Sequence, residues 1–142
     1  MPGGMEQTTV TRSEAETEAL GASLWKTLRA GACIALDAPL GTGKTAFARG
    51  LIRAGCGAEE VPSPSFAIVQ PYEGTPPLYH LDLYRLNDPS ELEELGLDDM
   101  LDTGVVLIEW PEKAEGWLPA DRLRVTGRML PDGAREWRFR RG

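Results

Sequence analysis

Lysine is scarce in this chain: three of its 142 residues are Lys, against twelve Arg. Histidine occurs once, at His80, and cysteine twice, at Cys33 and Cys56. One His and two Cys cannot complete a zinc site, and two isolated thiols suit a reducing compartment, so a cytoplasmic location is expected. No apolar run approaches the roughly 20 residues that a membrane helix needs. The opening segment, MPGGMEQTTV, has neither a basic nor an apolar region of the secretory kind, and no signal peptide is expected. From Leu86 to Glu112 there are nine acids and no base. There is no internal repeat.

What remains is a chain long enough for one domain, 1–142, and 42% hydrophobic, as a globular protein is. Residues 1–7 are expected to be flexible. The net charge of −7 is divided unevenly: seven Arg and two acids in 122–142 give +5, leaving −12 for the remainder. A protein that grips nucleic acid by itself shows a broad basic surface. Here only the Arg-rich terminal segment, 128–142, offers a local contact.

Local signals alternate between strand and helix. Ser13 and Glu16 form a capping-box pattern ahead of a helix predicted to run to Gly31. CIAL (33–36) reads as a short buried strand. A helix is predicted over 45–57, closed by Gly55 and Gly57. FAIVQPY (66–72) and LYHLDLYRL (78–86) read as strands. Asp88-Pro89-Ser90-Glu91 carries a cap, a proline and a capping glutamate, and starts another helix. VVLIEW (105–110) is a buried strand ending in a carboxylate. LRVTGRM and EWRFR form a terminal strand pair. The fold class is α/β, a mixed central sheet flanked by helices.

Between the strand at 33–36 and the helix after it lies APLGTGKT, close to the phosphate-loop spacing G-x-x-x-x-G-K-S/T. Gly43, Lys44 and Thr45 stand in place, while Ala38 takes the first glycine's position and Pro39 follows it. The alternative is a Gly-rich turn without a ligand. Lys44 argues against it, because a lysine in the first turn of a helix opposes the dipole unless an anion sits there. Pro39 has no N–H to donate. The phosphate donors are therefore expected from Leu40, Gly41, Thr42, Gly43, Lys44, Thr45 and Ala46, with the Thr45 hydroxyl on Mg²⁺. The only Asn is Asn87, so no N-K-x-D guanine signature exists, and ATP is the expected nucleotide.

Hydrolysis needs Mg²⁺ held by a carboxylate and a positioned water. Glu109, at the end of an apolar strand, is one candidate; the alternative is a solvated carboxylate just past the strand. In LYHLDLYR, alternation puts His80, Asp82 and Tyr84 on one face, which makes Asp82 a second candidate; the alternative is the exposed polar face of an edge strand. Ser63 and Ser65 could reach the γ-phosphate, or could simply be turn residues. Lys44, Asp82 and Glu109 are the expected catalytic set, with Thr45, Asp82 and Glu109 toward the metal.

Taken in order, APLGTGKT, SPSF, HLDLYR and IEWP resemble the TsaE family. The family pattern runs through G-D-L-G-A-G-K-T, S-P-T-F, H-x-D-x-Y-R and E-W-P. ETEALG upstream, YEG and ELGL extend the resemblance over roughly 8–127. It implies a compact P-loop domain with ATP at Gly41–Thr45. Mg²⁺ would be held by Thr45 and Glu109, with Asp82 supporting metal or water. Trp110 matches the family's tryptophan. It also implies an ATPase, weak alone, acting with TsaD and TsaB in the threonylcarbamoyl modification of adenosine 37 of tRNA, with tRNA met only within that complex. Ala38-Pro39 stands where the family has Gly-Asp, and Ser65 where it has Thr. Two other readings share the motifs. One is a small-molecule kinase, but no long Arg-bearing insertion follows the loop helix to serve as a lid. The other is a nucleotide-binding module without turnover.

Overall fold

The computed structural model describes residues 6–39, 41–57 and 69–141. Its frame is a seven-stranded sheet in the order β1-β7-β6-β2-β5-β4-β3. The strands are β1 (Glu6–Thr11), β2 (Cys33–Asp37), β3 (Val69–Tyr72), β4 (Leu78–Asp82), β5 (Val105–Glu109), β6 (Leu123–Met129) and β7 (Arg135–Arg141). β6, β2, β5 and β4 pair in parallel, while β1, β7 and β3 add antiparallel edges. The helices are α1 (Glu14–Trp25), α2 (Lys44–Cys56), α3 (Glu91–Leu95) and α4 (Leu97–Thr103), and a 3-10 segment spans Pro111–Trp117. Among the described residues, no helix is long and apolar enough to cross a membrane.

β2 and β5 are continuous apolar runs because both their faces are covered. Ile34, Leu36, Leu78, Val105 and Leu107 face α2 residues Phe47, Leu51 and Ile52 in one core. Cys33, Leu81, Val106 and Ile108 face Leu92, Leu97 and Met100 of α3 and α4 in the other. Cys56, at the end of α2, packs against the first core. α1 and α2 meet backbone to backbone. A Cβ on Gly50 would overlap the carbonyl oxygen of Glu18, and one on Gly21 that of Phe47. Close packing at these two glycines brings the first turns of both helices beside one cavity.

Several local expectations change. α1 ends at Trp25, well before Gly31, whose φ of +98° serves a later turn. Its cap holds: Ser13 Oγ accepts the Glu16 N–H at 3.1 Å, while Glu16 reaches one residue further back, to the Arg12 N–H at 2.9 Å. Glu6 and Gln7, expected to be flexible, lie in β1 and pair with Arg140 and Phe139. β4 ends at Asp82, because the Asp82 carboxylate accepts the Tyr84 N–H at 3.0 Å and turns the chain there. β4 also lies inside the sheet, between β5 and β3, so the edge-strand alternative fails. The third predicted helix begins at Glu91 and is divided at Gly96, whose φ is +84°. The terminal strand pair forms as expected, β6 antiparallel to β7. Trp137 of β7 is fully buried, stacks on Phe47 at 5.3 Å and donates to Thr11 Oγ1 at 3.1 Å.

Candidate active site

The carboxyl end of β2 feeds the glycine loop, and the loop feeds α2. Ala38 explains its own presence: only 5% exposed, its methyl joins the core under α2. Pro39 contributes a carbonyl instead of an N–H, accepting the Thr42 N–H at 3.2 Å. Thr42, expected among the phosphate donors, is thus engaged inside the loop. Gly43 caps α2 with φ +107°, a left-handed conformation that a side chain resists. The first helical bond runs from the Phe47 N–H to the Gly43 carbonyl at 3.0 Å. The N–H groups of Lys44, Thr45 and Ala46 therefore stand at the open positive end of the helix.

Lys44 is buried there, 8% exposed, an unusual place for an ammonium. Two groups hold it. Glu109 Oε1 lies 3.9 Å from Nζ, and the Trp110 ring centroid 4.4 Å from it. Trp110 reaches over Lys44 because its backbone is left-handed, φ 59° and ψ 50°, where β5 meets Pro111. That conformation costs a bulky residue about 1–3 kcal/mol and persists where packing over-determines it. Tyr84 supplies such packing, its ring 4.9 Å from that of Trp110.

Glu109 is 6% exposed, so the solvated alternative fails. Its other oxygen, Oε2, lies 2.5 Å from His80 Nε2. His80 and Asp82 stand on the α2 side of β4, and Asp82 sits in register with Glu109. The alternation HLDLYR predicts a shared face for His80 and Asp82, but not that His80 binds Glu109. The only signal for that was a lone histidine two residues before an aspartate. Among the described residues no three His, Cys, Asp or Glu side chains gather as a metal cluster. Leu40, Ser63 and Ser65 lie outside the described residues.

Beside the loop, between it and the first turn of α1, is a cavity of about 430 Å³. Ser13, Thr17, Gly43, Thr45 and Arg49 line it, together with Arg12 and Arg135. Arg49 pairs with Glu14 at 2.8 Å, and Arg12 with Asp132 at 3.2 Å. The Asp132 carboxyl is held below the usual carboxylate range by the Ala134 N–H and by Arg12. Thr45 is exposed beside this opening. Helix-end N–H groups and arginine side chains beside one cavity suit an anionic, phosphate-bearing ligand.

A model of the family described as "Threonylcarbamoyl adenosine biosynthesis protein TsaE" matches residues 11–136. The chain is 38% identical over 130 residues to the tRNA threonylcarbamoyladenosine biosynthesis protein TsaE of Rickettsia bellii, covering 89% of this chain and 90% of that one. It is 39% identical over 127 residues to the protein of that name from Bacillus subtilis, covering 87% and 78%. The crystal structure of Bacillus subtilis YdiB superposes with a TM-score of 0.82 at 30% identity, over 98% of this chain and 87% of that one. The order of the motifs, the sheet and these relatives agree: the chain belongs to the TsaE family.

Proposed function

We propose that this chain is a Mg²⁺-dependent ATPase that supports the threonylcarbamoyl modification of tRNA. Family membership gives the biosynthetic role; the ATPase reading rests on the site. The observation that carries it is Lys44, buried at the positive end of α2 against a buried carboxylate from β5. A cation there opposes the helix dipole, and a triphosphate would reverse that cost. Lys44 would leave the Glu109–Trp110 pocket for the β- and γ-phosphates, releasing Glu109 Oε1.

The donor set fits Mg²⁺. One exposed hydroxyl, Thr45, and one or two carboxylates are few ligands, which suits a cation that takes the rest from phosphates and water. Bound Mg²⁺ would neutralise charge that develops on the transferring phosphate. Glu109 would face the cation with Oε1 while His80 fixes Oε2. Asp82, half-buried and in register beside it, would orient water or metal. Thr45 and the N–H groups of Lys44 and Ala46 would hold the phosphates.

TsaD and TsaB are the proposed partners, in the cytoplasm, with tRNA met through them. A body of −12 repels phosphates, and the +5 of residues 122–142 offsets this only locally. The test is steady-state ATP hydrolysis by the full chain, alone and with TsaB and TsaD. Weak turnover that rises with partners is expected. Nucleotide binding with no turnover in any mixture would favour a non-hydrolysing module. Phosphate transfer to a small acceptor would favour a kinase.

A further inference from the structure

Arg135, at the start of β7, reaches across more than ninety positions of sequence to the phosphate loop. Its Nε donates to the Thr42 carbonyl at 2.8 Å, and its Nη2 to the Gly41 carbonyl at 3.2 Å. Its Nη1 donates to the carbonyl of Gly133, within its own hairpin. We infer that Arg135 is the positioning residue of the phosphate loop, fixing the direction in which the loop's N–H groups point. The inference rests on the reading of this loop as an ATP site.

A peptide group is planar and trans, so its C=O and N–H point to opposite sides. Holding the Thr42 carbonyl toward Arg135 sends the Gly43 N–H the other way. Holding the Gly41 carbonyl does the same for the Thr42 N–H, which closes the turn onto Pro39. The loop cannot do this for itself. Gly41 and Gly43 both have positive φ, and a Cβ on Gly41 would meet nothing within 4 Å. Glycine peptides in open space rotate freely, so an outside clamp decides their direction.

The clamp is itself anchored. Trp137, two residues along β7, is buried against Phe47 of α2, so loop helix and clamp share one core. The hairpin tip is tied to the far wall of the cavity by Asp132 and Arg12. A guanidinium is a planar fork with donors in fixed directions, which matches two successive carbonyls. A lysine ammonium carries the same charge but not the fork. Charge and positioning can therefore be separated by experiment.

The full chain is titrated calorimetrically with ATP and with ADP, in the parent and in Arg135→Lys, Arg135→Ala, Arg128→Ala and Lys44→Ala variants. Arg128 pairs with Glu136 on the same hairpin, away from the loop, and serves as the control for hairpin integrity. Both Arg135 variants are expected to weaken both nucleotides by about tenfold or more, since two charge-assisted bonds to the loop are lost or distorted. Arg128→Ala is expected to stay within twofold of the parent. Amide exchange should rise at 41–43 in the Arg135 variants and stay unchanged along β6. Parent-like binding by Arg135→Lys would overturn positioning in favour of simple charge. An equal loss in Arg128→Ala would reduce the effect to hairpin stability, and unchanged exchange at 41–43 would also refute the inference. If Lys44→Ala binds like the parent, the ATP-site reading falls as well. If Lys44→Ala abolishes binding while both Arg135 variants bind normally, only the role of Arg135 falls.

Discussion

Lys44 stands between two unlike neighbourhoods. On the sheet side, His80, Glu109 and Lys44 itself are buried, each less than a tenth exposed. On the cavity side, Arg12, Arg49 and Arg135 are open or half-buried, and each has a local partner. The same chemistry, an ion near a counter-ion, behaves differently in the two places. A buried group that loses its partner keeps its desolvation cost and has no water to turn to. An exposed pair that breaks exchanges its partner for water, for about 0–1 kcal/mol. The sheet side therefore works as a unit whose members depend on one another, and the cavity side as replaceable pieces, with Arg135 the exception.

The largest effect should come from Lys44→Ala. ATP binding is expected to fall below calorimetric detection, because no other lysine lies near the loop. Removing the cation relieves the positive helix end but leaves buried Glu109 to its His80 contact, so the melting temperature should fall as well. ATP binding like the parent's would remove Lys44 from the phosphate site.

Next is Glu109→Ala. ATP affinity should stay within a few-fold while hydrolysis, assayed with partner proteins present, drops to background. Asp82→Asn should act in the same direction and less completely, since Asp82 is half-buried and already accepts the Tyr84 N–H. Unimpaired turnover in Glu109→Ala would remove the carboxylate from the chemistry.

A smaller loss, about ten- to hundredfold in hydrolysis, is expected for His80→Ala, which frees one Glu109 oxygen from its orienting partner. His80→Gln should recover part of it, along with a lower Mg²⁺ requirement than the alanine variant. Equal rates for the two substitutions would mean that His80 only fills space.

These three sites differ in how legible they were. Lys44 is visible from spacing alone, and Glu109 from a carboxylate that ends an apolar strand. The role of His80 depends on the pairing of β4 with β5, which no local pattern encodes. Arg135 is harder still, because its contacts join residues more than ninety positions apart and its own segment reads only as a basic strand. β1 was missed for a different reason. EQTTVT is an edge strand with one buried residue, Thr11, so it lacks the apolar alternation that marks a strand. Gly31 marks a stop in sequence, but α1 gives way to turns already after Trp25.

At the small end, Pro39→Asp with Ala38→Gly rebuilds the commoner family loop. ATP affinity should change less than tenfold, since the donors at Lys44–Ala46 already stand at the helix end. Stability should fall by up to about 1 kcal/mol, because the glycine gives up a buried methyl and gains unfolded-chain freedom. A tenfold gain in affinity would show that Pro39 hampers binding. Smallest of all, Asp132→Ala removes the exposed pair with Arg12 and the acceptor of the Ala134 N–H, and should lower the melting temperature only slightly; a large drop would place the hairpin tip among the dependent groups.

The placement of the two cysteines gives the molecule a pair of native chemical reporters. Cys33 lies in the α3–α4 core and Cys56 beside the α1–α2 core, both as free thiols. Burial pushes the Cys33 thiol up to about 12, with Arg122 pulling weakly the other way, and raises that of Cys56 as well. Only a thiolate attacks an alkylating reagent, so Cys33 is silent until its layer opens. Pulsed alkylation followed by peptide mass measurement would then time the opening of each layer separately, in the unmodified protein. Nucleotide should slow labelling at Cys56, whose helix begins at the phosphate loop, more than at Cys33.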